Sequence, residues 1–251
     1  MAIELKDYFL MTVSLFRIII VFSVFLTARR SKKRQMYILG LHFITEAATY
    51  IIGLSFLDFH PLVKSLVATL DILLILVFIK LTFSENKKGL FYSIVGVVIV
   101  LAIINIVCAL MKADGIKGYE LMLVDVFSHS GKRIITYIWL LKASILAFNH
   151  IKSDSNVEPW IKWRYIFVLI SGASGLIAVL TAVILIPIAK ELTFNPTFNI
   201  VMSCLFITVG SEYLAWVMPN FLKKFFNRNY KSVEQDEELD EIAIMSGLGG
   251  K

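Results

Sequence analysis

Seven apolar runs dominate the chain, at about residues 8–28, 36–57, 62–83, 90–111, 119–148, 164–189 and 197–218. Short polar connections separate them, among them RRSKKRQ, DFHP, SENKKG and KELTFNP. At about 1.5 Å per residue, a helix needs about 20 residues to cross the hydrocarbon layer of a bilayer. Each run is that long. The pattern predicts an all-α integral membrane protein in three parts. A seven-transmembrane-helix bundle occupies residues 1–218, a short juxtamembrane amphipathic helix 219–230, and an acidic, disordered tail 231–251.

Proline placement bears on how the spans are built. Pro61, Pro159, Pro196 and Pro219 fall at the ends of runs, and Pro187 lies near the outer end of the sixth. Alternating-access carriers expose backbone to their cargo through interrupted spans. Continuous spans, as expected here, suit a receptor-like or sensory bundle better, though they also permit a channel. In the same sense, DVFSHSGKR at residues 125–133 reads as the interior of one long helix over 119–149. Treating it as a loop leaves a span of only about 17 residues, at the lower limit for crossing.

Orientation follows from the basic residues, because basic loops resist translocation. The connections 29–35, 84–89, 150–164 and 220–231 hold fourteen Lys and Arg, against five in 1–7, 58–64, 112–118 and 190–196. The N-terminus is therefore expected outside and the C-terminus in the cytoplasm, most simply at the plasma membrane. Trp160, Trp163 and Trp216 fall at the inferred cytoplasmic boundary, where indoles favour the interface. The start MAIELKDYFL lacks a basic n-region and the first run ends without a cleavage motif, so helix 1 is expected to remain as an anchor.

Composition agrees with the hydropathy pattern. The hydrophobic fraction is 58%, above the ~45–50% of soluble domains. The net charge of +6 sits in clusters between apolar runs, which argues against nucleic acid as a partner. Cys108 and Cys204 lie inside apolar runs and read as packing residues. After the seventh run, Phe221, Leu222, Phe225 and Phe226 recur at i, i+1, i+4 and i+5, with Lys223 and Lys224 between them. That is the pattern of a helix lying on an anionic leaflet. The acidic stretch EQDEELDE follows. This region is too short for a catalytic output domain, so any signal is expected to leave through a separate cytoplasmic partner, reached by the inner loops and tail.

The candidate chemistry lies in charges at membrane depth, where an ionisable group costs several kcal/mol unless paired or hydrated. Helical rise places Arg17, Glu46 and Asp71 near the midplane, with His129 and Lys132 at similar depth. His42 and Glu212 come out nearer the cytoplasm. With Asp125 and Arg133 these nine residues form the candidate polar pocket or proton relay. His42 and Glu46 are one turn apart, as are Asp125 and His129. Asp125, Ser128, His129 and Lys132 are expected to form one polar stripe directed into the bundle.

Two readings follow: a buried ion-pair network that fixes helix register, or a hydrated pocket for a ligand, proton or ion. The second supports a receptor-like or sensory protein or, alternatively, a small proton or ion channel or proton-coupled transporter. His and carboxylate one turn apart are a weak metal signal, so no metal centre is expected and an intramembrane metal hydrolase ranks third. Residues 197–218 contain no Lys, which removes the Schiff-base position a retinal protein needs in its last helix. No cofactor is expected. Ser171, Gly172, Ser174 and Gly175 read as small residues that allow close helix approach.

Overall fold

The computed structural model describes residues 5–54, 57, 59–83, 88–155, 157–185 and 196–230. Eight helices follow in chain order: α1 Leu5–Ser31, α2 Arg34–Ile52, α3 Pro61–Phe83, α4 Lys88–Ala113, α5 Tyr119–Ile151, α6 Pro159–Leu185, α7 Pro196–Trp216 and α8 Asn220–Phe226. No strand occurs among the described residues. The acidic tail, Pro187 and most of KELTFNP lie outside them.

Local chemistry sets the boundaries. Pro61, Pro159 and Pro196 each open a helix, at the position where a missing N–H leaves no bond unmade. At the end of α4, Gly115 adopts φ +80°. Its N–H donates to Lys112 O at 3.1 Å and that of Ile116 to Met111 O at 3.0 Å, a Schellman termination that favours glycine. DVFSHSGKR lies inside the 33-residue α5.

Six helices, α1 and α3 to α7, are long and apolar enough to cross a membrane, so the chain is a multi-pass helical membrane protein. The exception is α2, where Arg34, Gln35, His42 and Glu46 dilute 19 residues. Two of these polar groups point inward: His42 and Glu46 are buried with Leu39, Phe43 and Tyr50, while Tyr37, Leu41, Ile44 and Ile51 face outward. Neighbouring helices from α1 to α7 pack in chain order, α1 also meets α7, and α8 packs on α6. Because α3 touches α5 directly, α4 lies outside a ring formed by α1, α2, α3, α5, α6 and α7. On α1 the ring-facing stripe is Val13, Arg17, Ile20, Val24 and Ala28, all buried. Arg17 thus occupies a core position and needs partners inside the bundle.

Small residues tighten the α5/α6 seam. A Cβ on Gly175 would lie 2.5 Å from the Tyr137 ring, and one on Gly172 would lie 3.1 Å from Leu141.

At the end of the bundle bearing α8, two of the three tryptophans depart from the expected interfacial role. Trp160 and Trp216 are buried, with the Arg164 guanidinium 4.9 Å and 6.0 Å from their rings. Arg164 Nε also donates to Ala215 O at 2.8 Å, joining α6 to the end of α7. Trp163 stacks on Phe226 at 4.9 Å. The four-residue apolar face expected for α8 is divided. Leu222 and Phe226 pack against the core, Phe221 and Phe225 project away at 69% and 56% exposure, and Lys223 lies 4.0 Å from the Trp160 ring.

Candidate functional site

Helical spacing aims a polar group from each of six helices at one point in the ring. Arg17 comes from the buried stripe of α1, and His42, Glu46 and Tyr50 succeed one another at four-residue intervals on α2. Asp71 lies on the buried face of α3, Arg133 and Tyr137 lie one turn apart on α5, and Ser171 and Glu212 come from α6 and α7.

Arg17 is the central cation. Its guanidinium, fully buried, donates to Glu46 Oε1 at 2.8 Å and to Glu212 Oε2. The Tyr50 hydroxyl donates to Glu46 Oε1 at 3.1 Å, and the Ser171 hydroxyl donates to Glu212 Oε1 at 2.7 Å. A second group adjoins it. His42 Nδ1 stands 2.8 Å from Asp71 Oδ1, off the line of an aligned hydrogen bond. Thr45 donates to the same oxygen at 3.3 Å, and Arg133 lies 3.9 Å from Asp71 Oδ2. His42 Nε2, 3.8 Å from Glu46 Oε2, connects the two groups.

Beside this network is a cavity of about 30 Å³, to which His42, Glu46, Asp71, Arg133, Tyr137 and Glu212 contribute. At about 10–15 Å³ per water it has room for about two. Sites for small organic ligands measure ~300–1,000 Å³, so its scale is that of water and protons.

The other expected residues lie apart from this network, and those of the α5 stripe, all buried or half-buried, meet separate partners. Asp125 pairs with Lys112 at the end of α4 and accepts from Asn105 Nδ2 at 2.9 Å. The same amide donates to Ser128 Oγ at 2.7 Å. Lys132, fully buried, donates to Thr69 Oγ1 at 3.1 Å. His129 is partly buried. The expected depths shift too: Glu212 meets Arg17 although α7 ends about 6 Å beyond Glu212, whereas α1 continues about 21 Å beyond Arg17. Axial offset between helices, invisible to counting from run ends, brings the two level.

Tyr50, Tyr137, Ser171, Lys112 and Asn105 join these contacts without standing out in the sequence as site residues. The first two carry a signal in the sequence, Tyr50 lying four residues beyond Glu46 and Tyr137 four beyond Arg133. In the sequence Ser171 reads as a small packing residue, and Lys112 as an outer-loop cation. Among the described residues no three His, Cys, Asp or Glu side chains converge as metal ligands. Comparison with family models, curated proteins and solved structures found no match to this chain.

Proposed function

We propose that the protein is a receptor-like, sensory seven-helix membrane protein in which the buried charge network is the responsive element and a separate cytoplasmic partner receives the output. One observation carries this reading. A single charge cluster, closed through Ser171, ties six helices together, so a change at one ion pair acts on the packing of the whole ring. Glu212 lies one turn before Ala215, whose carbonyl holds Arg164, and Arg164 and Lys223 both rest on Trp160. This contiguous path leads from the network to α8.

In this reading α2 is the seventh span, the N-terminus is outside, and the C-terminus faces the cytoplasm of a cell bounded by the host membrane. Phe221 and Phe225 enter the inner leaflet, and residues 231–251 contact the partner.

The test uses the full chain in lipid nanodiscs, with spin labels at the inner ends of α2 and α7. A change in label separation is expected across about pH 5 to 9 or with an imposed potential, since protons and charge match the scale of the cavity. An unchanged separation under both, with no signalling partner bound through 231–251, sinks the reading.

A second reading, a proton channel or proton-coupled carrier, draws on the hydroxyls that continue from Glu212 between α6 and α7. Ser171 contacts Glu212, and Ser174 and Thr208 lie 2.8 Å apart further along. Proton flux into sealed proteoliposomes, lost in Glu212→Gln, supports it; sealed vesicles that stay tight exclude it.

A further inference from the structure

We infer that the tip of the α1/α2 hairpin binds the phosphate of an anionic membrane lipid, whose acyl chains lie along the outward seam between the two helices. This site is separate from the buried network and stands whether or not the protein is a sensor.

Five basic residues fall within six positions, Arg29, Arg30, Lys32, Lys33 and Arg34. The backbone concentrates them further. Since α1 runs to Ser31 and α2 starts at Arg34, only Lys32 and Lys33 make the turn. Lys32 takes φ +55°, and its N–H donates to Ala28 O at 2.8 Å. Glycine fills that left-handed position at a helix end with least strain, yet the chain places a lysine there. Arg29, Arg30, Lys32 and Arg34 are exposed, and none has a carboxylate at ion-pair distance among the described residues. Like charges held this close repel one another, and an anion shared among them relieves the repulsion. Guanidiniums also match the oxygens of a phosphate in pairs.

Depth selects a lipid phosphate as that anion. Arg17 and Glu46, hydrogen-bonded at 2.8 Å, fix the antiparallel register of α1 and α2. Toward the turn, Arg29 and Arg34 each lie twelve residues from this pair, or about 18 Å along the helix axes. Arg17 stands near the middle of the 27-residue α1, and half a hydrocarbon layer is about 15 Å. The guanidiniums therefore reach the headgroup layer just beyond the hydrocarbon edge.

Below them the two helices offer apolar side chains at matched levels. Leu26 and Tyr37 lie nine residues from the Arg17–Glu46 pair, at about 13.5 Å, and Phe22 and Leu41 lie five residues from it, at about 7.5 Å. All four are exposed. Phe25 floors the seam between them. Its ring lies 6.2 Å from that of Tyr37 and close over Gly40, where a Cβ would stand 2.8 Å from it. An acyl chain fits such a surface, and a free ion has no use for it. Clustered Lys and Arg immediately beyond a span are the usual signature of anionic-lipid binding, and here the charges and the seam coincide. On α8, by contrast, Lys223 already rests on the Trp160 ring.

The test places the full-length protein in phosphatidylcholine nanodiscs with a trace of phosphatidylglycerol that carries a photoactivatable diazirine on its acyl chain. Crosslinked peptides are identified by mass spectrometry. Capture is expected in the segment from Phe22 to Leu41, displaced by excess unlabelled phosphatidylglycerol and not by the same amount of phosphatidylcholine. R29Q/R30Q/K32Q/R34Q is expected to weaken that capture at least about tenfold, whereas the charge-keeping R29K/R30K/R34K retains it within about threefold. K224Q/R228Q, which neutralises the exposed cations of the α8 region, is expected to leave it unchanged. Equal displacement by phosphatidylcholine overturns the proposal, as does full capture by the neutralised tip. Displacement by inorganic phosphate would mean an anion site without a lipid and overturns it too. Absence of capture in the parent, as a tip covered by the acidic run 234–241 would give, has the same consequence. If the neutralised variant does not fold, the competition between the two lipids on the parent protein decides.

Discussion

Arg17 is the residue whose loss the bundle is expected to tolerate least. Its guanidinium holds carboxylates from α2 and α7, so Arg17→Met leaves two buried acids without their cation. A loss of about 3–5 kcal/mol is expected, measured by unfolding in mixed micelles. Adding Glu212→Gln removes one orphaned charge, and the double variant is expected to be more stable than Arg17→Met alone. Additive losses would refute the pairing. Asp125 provides the contrast, because its partnership with Lys112 is about one-third exposed on both sides. Asp125→Asn is expected to lose less than about 1 kcal/mol in the same assay. Arg17, Glu46, Asp71 and Glu212 are legible in the sequence as charges within apolar runs, where an interior location is nearly forced. Their partners are not legible, since pairing depends on the rotation and axial offset of each helix. Lys132 and Arg133 illustrate this: adjacent in sequence, they point to Thr69 and Asp71 respectively.

At the scale of elements, hydropathy locates α1 and α3 to α7 because their outward faces are apolar and their inward faces nearly so. The run at 36–57 is found too, but α2 is the weakest span because Arg34 and Gln35 open it and His42 and Glu46 interrupt its otherwise apolar inner face. The length of α5 is legible from the short span that the loop alternative would leave. The division of α8 into a packed and a free apolar face is not, since Trp163 and the α6 surface decide which phenyl rings are covered. Glycine contacts yield a prediction of opposite signs. Gly175→Ala places a Cβ against the Tyr137 ring, which also lines the cavity. It is expected to destabilise the α5/α6 seam by about 1–3 kcal/mol. Gly96→Ala, within α4 with nothing near its Cβ position, is expected to gain up to about 1 kcal/mol from helix propensity. Thermal unfolding of both variants in one detergent checks the signs, and equal effects would mean that the seam is not tightly packed.

For the whole molecule, the decisive quantity is the number of crossings, and it turns on α2. Its 19 residues extend about 28 Å, against a hydrocarbon layer of about 30 Å. His42 and Glu46 are paid for inside the ring, and the outward stripe of Tyr37, Leu41, Ile44 and Ile51 is fit for lipid. A transmembrane α2 places the Lys32–Lys33 turn and the segment before α3 on opposite sides of the membrane. It also gives the clustered Lys and Arg of the connections a single side, as the positive-inside bias requires. In a Cys108→Ser/Cys204→Ser background, Lys33→Cys is therefore expected to react with an impermeant maleimide only from the cytoplasmic face, and Phe59→Cys only from the outer face. Labelling of both from one face would mean that α2 does not cross. The fourteen-to-five distribution of basic residues would then no longer fall on one side, and α8 and the N-terminus would share a compartment, ending the proposed path from an outward-facing bundle to a cytoplasmic partner.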